Sequence, residues 1–214
     1  MLHRLQSTIV GDKHSKQEVL DFLITQEQLG VEFVSAVIEN APGTPSEAFL
    51  PVLRNVVTAE YNHAEALKDV GAKPLTTKYW LPDAAFGGGG VDLFSTIEAI
   101  EAIEVSMYLI GVSAFAHARE ETGARLCAEA MGVEAVHRAL ARFAQSQLGK
   151  DVGPPNDVGF ENFDWPTIEK VRRSFEEFGV GYGREGSQPG KFYEYLGDPV
   201  ARGVGTPLAH SEPA

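Results

Sequence analysis

Two segments of the chain place a glutamate and a histidine three residues apart, inside a pattern that otherwise predicts a helix packed against its neighbours. The first segment is TAEYNHAEAL (58–67), with Glu60 and His63, and the second is GVEAVHRAL (132–140), with Glu134 and His137. Residues three apart lie on one side of a helix, so each pair can turn both side chains toward the same neighbour. A fold that buries these pairs must supply something for them to bind.

Two further apolar helical stripes contain an acid at a matching position. Glu27 lies in a stripe that includes Ile24 and Val31, and Glu101 lies in a stripe of aliphatic and aromatic residues that steps by threes and fours. The separation from Glu27 to Glu60 is the same as the separation from Glu101 to Glu134. The sequence therefore predicts two helical hairpins related by a pseudo-twofold axis.

Start and stop signals divide the first part of the chain into four long helices. Ser15 and Thr44 are each followed three residues later by a glutamate, which is the capping-box pattern of a helix start. Asp92 is expected to cap the third helix. The predicted helices cover residues 15–40, 44–70, 92–118 and 121–148.

The lengths of the connections predict how these helices are arranged. The first and third connections are short, whereas residues 72–90 (AKPLTTKYWLPDAAFGGGG) show no period and are expected to run irregularly over the surface. Two short loops and one long one predict an all-α fold, an antiparallel four-helix bundle with one long crossover between helices 2 and 3. We assign residues 1–150 to this bundle and residues 151–214 to an irregular C-terminal extension, with one short helix near 166–178, packed on the bundle.

The acids within the apolar stripes need a positive counter-charge. An ionised carboxylate that is buried without a partner costs several kcal/mol, and several facing one another also repel. These helix faces carry no lysine or arginine near the acids, so bound metal is the simplest counter-charge. Oxygen and imidazole nitrogen donors together suit iron or manganese, and zinc is a further candidate. The candidate ligands are Glu27, Glu60, His63, Glu101, Glu104, Glu134 and His137.

Two questions about these ligands stay open in the sequence. Glu104 lies one turn from Glu101 on the same predicted face, so it could replace Glu101 or add a further carboxylate. A single Glu-x-x-His pair usually belongs to a solvated helix face, and the acids would face water if the helical phase were misjudged. The repetition of the pair on two matched stripes favours metal binding over that interpretation.

The order Glu, Glu-x-x-His, Glu, Glu-x-x-His resembles the ligand pattern of the ferritin-like superfamily of di-iron and di-manganese carboxylate proteins. ITQEQLGVEF and GVEAVHRAL are most similar to bacterial ferritin-like proteins related to desiccation-associated proteins. The resemblance covers about residues 15–149. It implies a ferritin-like fold, a two-metal centre and an oxidoreductase that acts with oxygen or peroxide, of ferroxidase, peroxidase or catalase type. The alternative is a non-catalytic protein that protects against stress or desiccation, or that scavenges metal.

Composition limits the partners and the compartment. With 30 acidic residues against 18 Lys plus Arg, the net charge of −12 disfavours nucleic acids and anionic membranes. Cys127 is the only cysteine, the opening MLHRLQSTIVGDKH lacks the long apolar run of a signal peptide, and no stretch has the about 20 apolar residues of a membrane span. We expect a cytoplasmic protein whose partners are metal ions and a small oxidant. Because an apolar bundle face often pairs with its twin, we also expect a homodimer.

Overall fold

Four long helices form the body of the molecule. The structure is a computed structural model that describes residues 14–214, so residues 1–13 of the predicted bundle domain and most of the opening segment lie outside it. Consecutive helices pack together, α1 with α2 and α3 with α4, and α1 also contacts α3. The contact between α2 and α4 is much sparser. The helices are α1 (Lys16–Asn40), α2 (Leu50–Asp69), α3 (Val91–His117), α4 (Glu121–Gln147) and a shorter α5 (Ile168–Phe178).

The helix starts follow the capping signals only in part. Ser15 and Glu18 form the predicted capping box at the start of α1. The box predicted at Thr44 does not form, because the Thr44 hydroxyl donates to the Ala41 carbonyl. A 3-10 helix over Pro45–Phe49 therefore precedes α2, and the α-helix begins at Leu50, six residues after the predicted start at 44.

Helix α3 is the most apolar of the long helices. Its first residue is Val91, and the predicted cap Asp92 lies inside its first turn, with Gly90 at the cap position. By length and composition alone α3 meets the requirements of a membrane span, and 56% of its most apolar window is buried inside the protein. A core helix of a soluble protein meets the same requirements. The packing of α3 against α1 and α4, and its buried Glu101 and Glu104, agree with a core helix.

A small sheet corrects the prediction of an all-α fold, although the protein is mainly helical as predicted. The segment predicted to be an irregular crossover contains β1 (Lys78–Pro82), and the C-terminal extension supplies β2 (Gly181–Tyr182) and β3 (Gly190–Glu194). Both pair antiparallel with β1, which lies in the centre of the sheet. Tyr79 and Leu81 of β1 point into the core and are almost fully buried.

The C-terminal extension is attached to the bundle by the ion pairs of two buried arginines. Arg138 and Arg142 of α4 both bind the carboxylate of Asp157, and Arg142 also pairs with Glu98 of α3. Arg142 further donates to the backbone carbonyls of 152, 154 and 155. Helix α5 adds apolar contacts through Val171, which is fully buried. These parts of the extension therefore pack on α3 and α4, whereas later residues bind α1 and α2, through Arg202 with Glu32 and through the Gly203 carbonyl with Arg54.

Candidate metal centre

Six of the seven predicted ligands meet in the middle of the four long helices. They form two groups that share one member, and within each group one donor atom from every residue lies within 4.8 Å of the others. The carboxylates and His137 are at most 5% exposed. The side chain of His63 is 12% exposed and is the most accessible of the six. The first group is Glu60, Glu101, Glu134 and His137, and the second is Glu27, His63 and Glu134.

Glu134 connects the two groups. Its Oε1 lies 2.8 Å from Nδ1 of His63, and its Oε2 lies 2.9 Å from Nδ1 of His137. Glu60 extends the first group, with Oε1 3.2 Å from the same His137 nitrogen. Each of the two Glu-x-x-His pairs thus contributes its histidine to a different group, while the carboxylate of Glu134 lies between them.

Several of the oxygen and nitrogen atoms that could bind a metal ion have no hydrogen-bond partner. Nδ1 of His63 is near Glu134 Oε1, but the two do not meet at a hydrogen-bonding angle. Native proteins leave few buried polar atoms unpaired, and a converging set of them needs an explanation such as a bound ion. The residues present therefore fit a metal ion at each group. The unpaired atoms are Oε2 of Glu27, both carboxylate oxygens of Glu60, Oε2 of Glu101, Oε1 of Glu134 and Nδ1 of His63.

Arginine does not supply the counter-charge. The two buried arginines of α4 lie close in sequence to His137, yet Arg138 pairs with Asp157 and Glu161, and Arg142 pairs with Glu98 and Asp157. The ion pairs of the cluster carboxylates within residues 14–214 are made with His63 and His137. The charge of the acids is therefore balanced by protons or by metal ions.

Burial and mutual repulsion shift the protonation of the cluster. Burial, with the neighbouring Glu60 carboxyl adding to it, raises the pKa of Glu27 to about 8. Burial likewise raises the pKa of Glu60 and Glu101. Burial also opposes ionisation of Glu134, but the imidazoles of His63 and His137 outweigh it and hold the pKa of that carboxyl well below its usual range.

For the two histidines of the cluster, neighbouring charges together have a larger effect on the pKa than burial. Burial lowers the pKa of both imidazoles, but the surrounding carboxylates outweigh it and raise the pKa of His63 and His137 well above the usual value. Without metal, Glu27 and the two imidazoles therefore retain protons near neutral pH. Metal ions can take over the role of these protons, because metal ligands bind in their deprotonated forms.

Glu104 lies beside the cluster and outside both groups. It is as buried as Glu101. Burial is the main reason that its pKa is raised well above the usual value, and repulsion from the Glu60 and Glu101 carboxyls adds to it. It lines a separate small cavity with apolar residues that include Phe33 and Phe175. Of these two acids of α3, Glu101 has an oxygen within one of the two groups, whereas Glu104 belongs to neither.

Two further residues shape the cluster. The Tyr108 hydroxyl, from α3, donates to Oε1 of Glu27 at 2.5 Å and so leaves Oε2 for another partner. A Cβ atom at Gly30 would lie 2.6 Å from Oε2 of Glu60, so the missing side chain leaves space for that carboxylate. The sequence placed Tyr108 in an apolar stripe with Glu101, but Gly30 was missed. Its signal was a glycine in the interior of a long helix, one turn after Glu27.

A pocket reaches the cluster at each of its two histidines. His63 lines a pocket of about 150 Å³ between α2, α4 and the last residues of the chain. His137 lines a smaller apolar pocket of about 20 Å³ next to Phe94 and Phe143. The wider pocket lies at the more exposed histidine, so the access of a small molecule to the cluster is easiest there.

Comparison of the chain with protein-family models, with curated proteins and with solved structures finds no match.

Proposed function

We propose that Glu27, Glu60, His63, Glu101, Glu134 and His137 hold two metal ions in a ferritin-like protein, and that the protein is an oxidoreductase that acts with oxygen or peroxide. Iron is the first candidate metal, manganese the second and zinc the third. The observation that carries this proposal is the convergence of buried carboxylate oxygens and the imidazole nitrogen Nδ1 of His63, all without hydrogen-bond partners. Ion pairs with a purely structural role do not leave so many buried polar atoms without a hydrogen bond.

The organisation of the chain supports the ferritin-like part of the proposal. Each Glu-x-x-His pair lies on a helix that follows a helix with a single cluster glutamate, which is the ligand order of that superfamily. The pairing of α1 with α2 and of α3 with α4, across a long connection, is compatible with a bundle that has one crossover. The β-strand within that connection adds a sheet to the bundle without interrupting the four helices.

Glu134, Tyr108 and the surrounding apolar residues would each have a separate role in such a centre. Bound iron or manganese would supply the capacity to exchange electrons with oxygen or peroxide. Glu134 has one oxygen toward each group and would link the two metal positions. Tyr108 fixes the orientation of Glu27, and the apolar residues of the four helices exclude larger reductants.

Metal analysis followed by two activity assays tests the proposal. The purified protein is expected to hold iron or manganese, to take up oxygen when ferrous iron is added, or to release gas when peroxide is added. Glu60→Ala and His63→Ala should lose most of the metal, because each removes a donor from a buried group. Glu65→Ala is the matched control on the same helix, since Glu65 pairs with Lys68 at the surface.

Two outcomes would contradict the proposal in different parts. Full metal occupancy in both Glu60→Ala and His63→Ala would show that the metal is bound elsewhere. Metal bound at the cluster without turnover in either assay would contradict the oxidoreductase and favour the protective or metal-scavenging protein.

A further inference from the structure

The pocket at His63 has features of a binding site for a small organic molecule. It lies between α2 and α4, which contact each other only sparsely. Helix α2 contributes Asn62 and His63, helix α4 contributes Ala130, and the end of the chain contributes Leu208 and Pro213. Most of its wall is apolar, and its volume of about 150 Å³ equals that of an engineered apolar cavity that binds benzene.

The end of the chain forms the outer wall of this pocket. The backbone N–H of Thr206 donates to the carbonyl of Arg54 and to the hydroxyl of Thr58, which attaches the segment to α2. The backbone N–H of Ala214 donates to the Glu129 carboxylate on α4. Residues 206–214 therefore cross from one helix to the other over the opening that leads to His63. We call them the C-terminal strap.

Besides His63, a second residue of the pocket wall has an unpaired polar atom. Nδ2 of Asn62 is buried and makes no hydrogen bond, although leaving a buried amide donor unpaired is unfavourable. A ligand with a carbonyl or ether oxygen would satisfy it once the Asn62 amide rotates to present this atom to the pocket. The apolar walls disfavour a charged ligand, because transferring a charge into them costs much more than transferring a neutral group. The carboxylates of Glu129 and Glu212 at the pocket also repel anions.

We propose that this pocket binds a small uncharged molecule that has an apolar body and one hydrogen-bond acceptor, held against His63 beneath the C-terminal strap. Its size is about that of a single six-membered ring with one substituent. The proposal deepens the proposed function, since it places a candidate substrate class beside a metal ligand. Binding itself needs no turnover and is measured separately from metal content, so either idea can fail while the other holds.

Titration of the full-length protein with cyclohexanone and toluene tests the pocket. The two probes have the same number of heavy atoms, and only cyclohexanone has an acceptor. Calorimetry or NMR should show saturable binding of both, with magnetisation transfer to the methyl groups of Ala66 and Ala130. Absence of saturable binding, or transfer to other methyl groups only, would overturn the proposal.

Variants that fill the pocket locate the binding. Ala66→Phe should abolish binding of both probes, because Ala66 lines the pocket from α2. Ala128→Phe is the matched control on the exposed surface of α4, outside the pocket, and should bind like the wild type. If Ala66→Phe does not fold, Val133→Trp fills the same space from α4. Undiminished binding in a folded pocket-filling variant would overturn the proposal.

Two further variants test the acceptor and the strap. Asn62→Leu should weaken cyclohexanone binding and leave toluene binding equal or stronger, and an equal loss for both probes would overturn the role of the acceptor. A chain that ends at 206 should bind both probes more weakly because it lacks the outer wall. Unchanged affinity of this shortened chain would overturn the role of the C-terminal strap. Metal content measured on the same samples reports independently on the proposed two-metal centre.

Discussion

Glu134 is the residue on which the arrangement of the cluster depends. Its two carboxylate oxygens face His63 and His137, which belong to different groups. Among the cluster acids described here, it is the one whose pKa is held below the usual range, whereas the pKa of each of its neighbours is raised. A carboxylate that is already ionised, with one oxygen toward each site, is suited to link two cations.

Isosteric substitution can distinguish the roles of Glu101 and Glu104, the two buried acids of α3, in metal binding. Glu101→Gln should remove one of the two metal ions, because Oε2 of Glu101 is an unpaired donor in the first group. Glu104→Gln should keep both, since a carboxyl with a raised pKa is neutral and an amide resembles it. The metal content of the two variants, measured by elemental analysis, decides between them. Equal loss from both would make Glu104 a ligand too.

The sequence identified the residues of the cluster but not their division into groups. The spacing of Glu60 and His63, and of Glu134 and His137, places each pair on one helix face whatever the neighbours are. The choice between Glu101 and Glu104 depends on the rotation of α3 about its own axis, which is set by its contacts with α1 and α4. One turn of helix separates these acids, so no local pattern in the sequence could decide.

At the scale of the elements, helix α1 has a weak point that the cluster explains. A glycine in a helix interior is less favourable than alanine by about 1 kcal/mol. Gly30 occupies such a position in the middle of α1, directly opposite the Glu60 carboxylate of α2. The glycine is explained by the cluster, because a side chain at this position would push the Glu60 carboxylate away from it.

Gly30→Ala should therefore weaken metal binding by about ten- to hundredfold, the usual effect of disturbing the surroundings of a metal ligand. The matched control is Gly132→Ala on α4, where an added Cβ meets no atom within 4 Å. That variant should leave metal binding unchanged and raise the free energy of unfolding by up to about 1 kcal/mol. Metal titration and denaturant unfolding measure both effects. Equal metal affinity in the two variants would show that Gly30 has no role at the cluster.

The helices were predicted to within a few residues, whereas the sheet was missed. Long apolar stripes with a period near 3.6 define α1, α3 and α4 without help from tertiary structure. Strand β1 has only five residues and is followed directly by a 3-10 helix (Asp83–Gly89), and its partners β2 and β3 lie about a hundred residues later in the chain. Its alternation of Tyr79, Trp80 and Leu81 is too short to be recognised alone. A pairing that distant is not encoded in any local pattern.

At the scale of the whole molecule, the cluster links stability to pH. Without metal, the acids Glu27, Glu60 and Glu101 and both cluster histidines have a raised pKa in the folded protein. Near neutral pH the folded chain therefore holds more protons than the unfolded chain. Stability then falls as the pH rises, because those protons are lost from the folded state. Glu134 has the opposite shift, but it remains ionised throughout this range.

The metal-free protein should accordingly become easier to unfold between pH 6.5 and about 8, from the usual histidine pKa to the raised pKa of Glu27. The metal-loaded protein should show a smaller decline or none, because metal ions replace the protons and are bound more tightly as the pH rises. Urea unfolding at a series of pH values, with and without chelator, makes the comparison. A metal-free protein that gains stability over this range would contradict the proton balance of the cluster.

Anomalous X-ray diffraction from crystals of the protein with its native metal tests the central claim most directly. The two-metal centre predicts two anomalous peaks within the helices, one among Glu60, Glu101, Glu134 and His137 and the other among Glu27, His63 and Glu134. Data collected on both sides of the iron, manganese and zinc absorption edges would identify the element. Peaks located elsewhere, or a cluster that binds no metal in protein shown to be replete with it, would contradict the account.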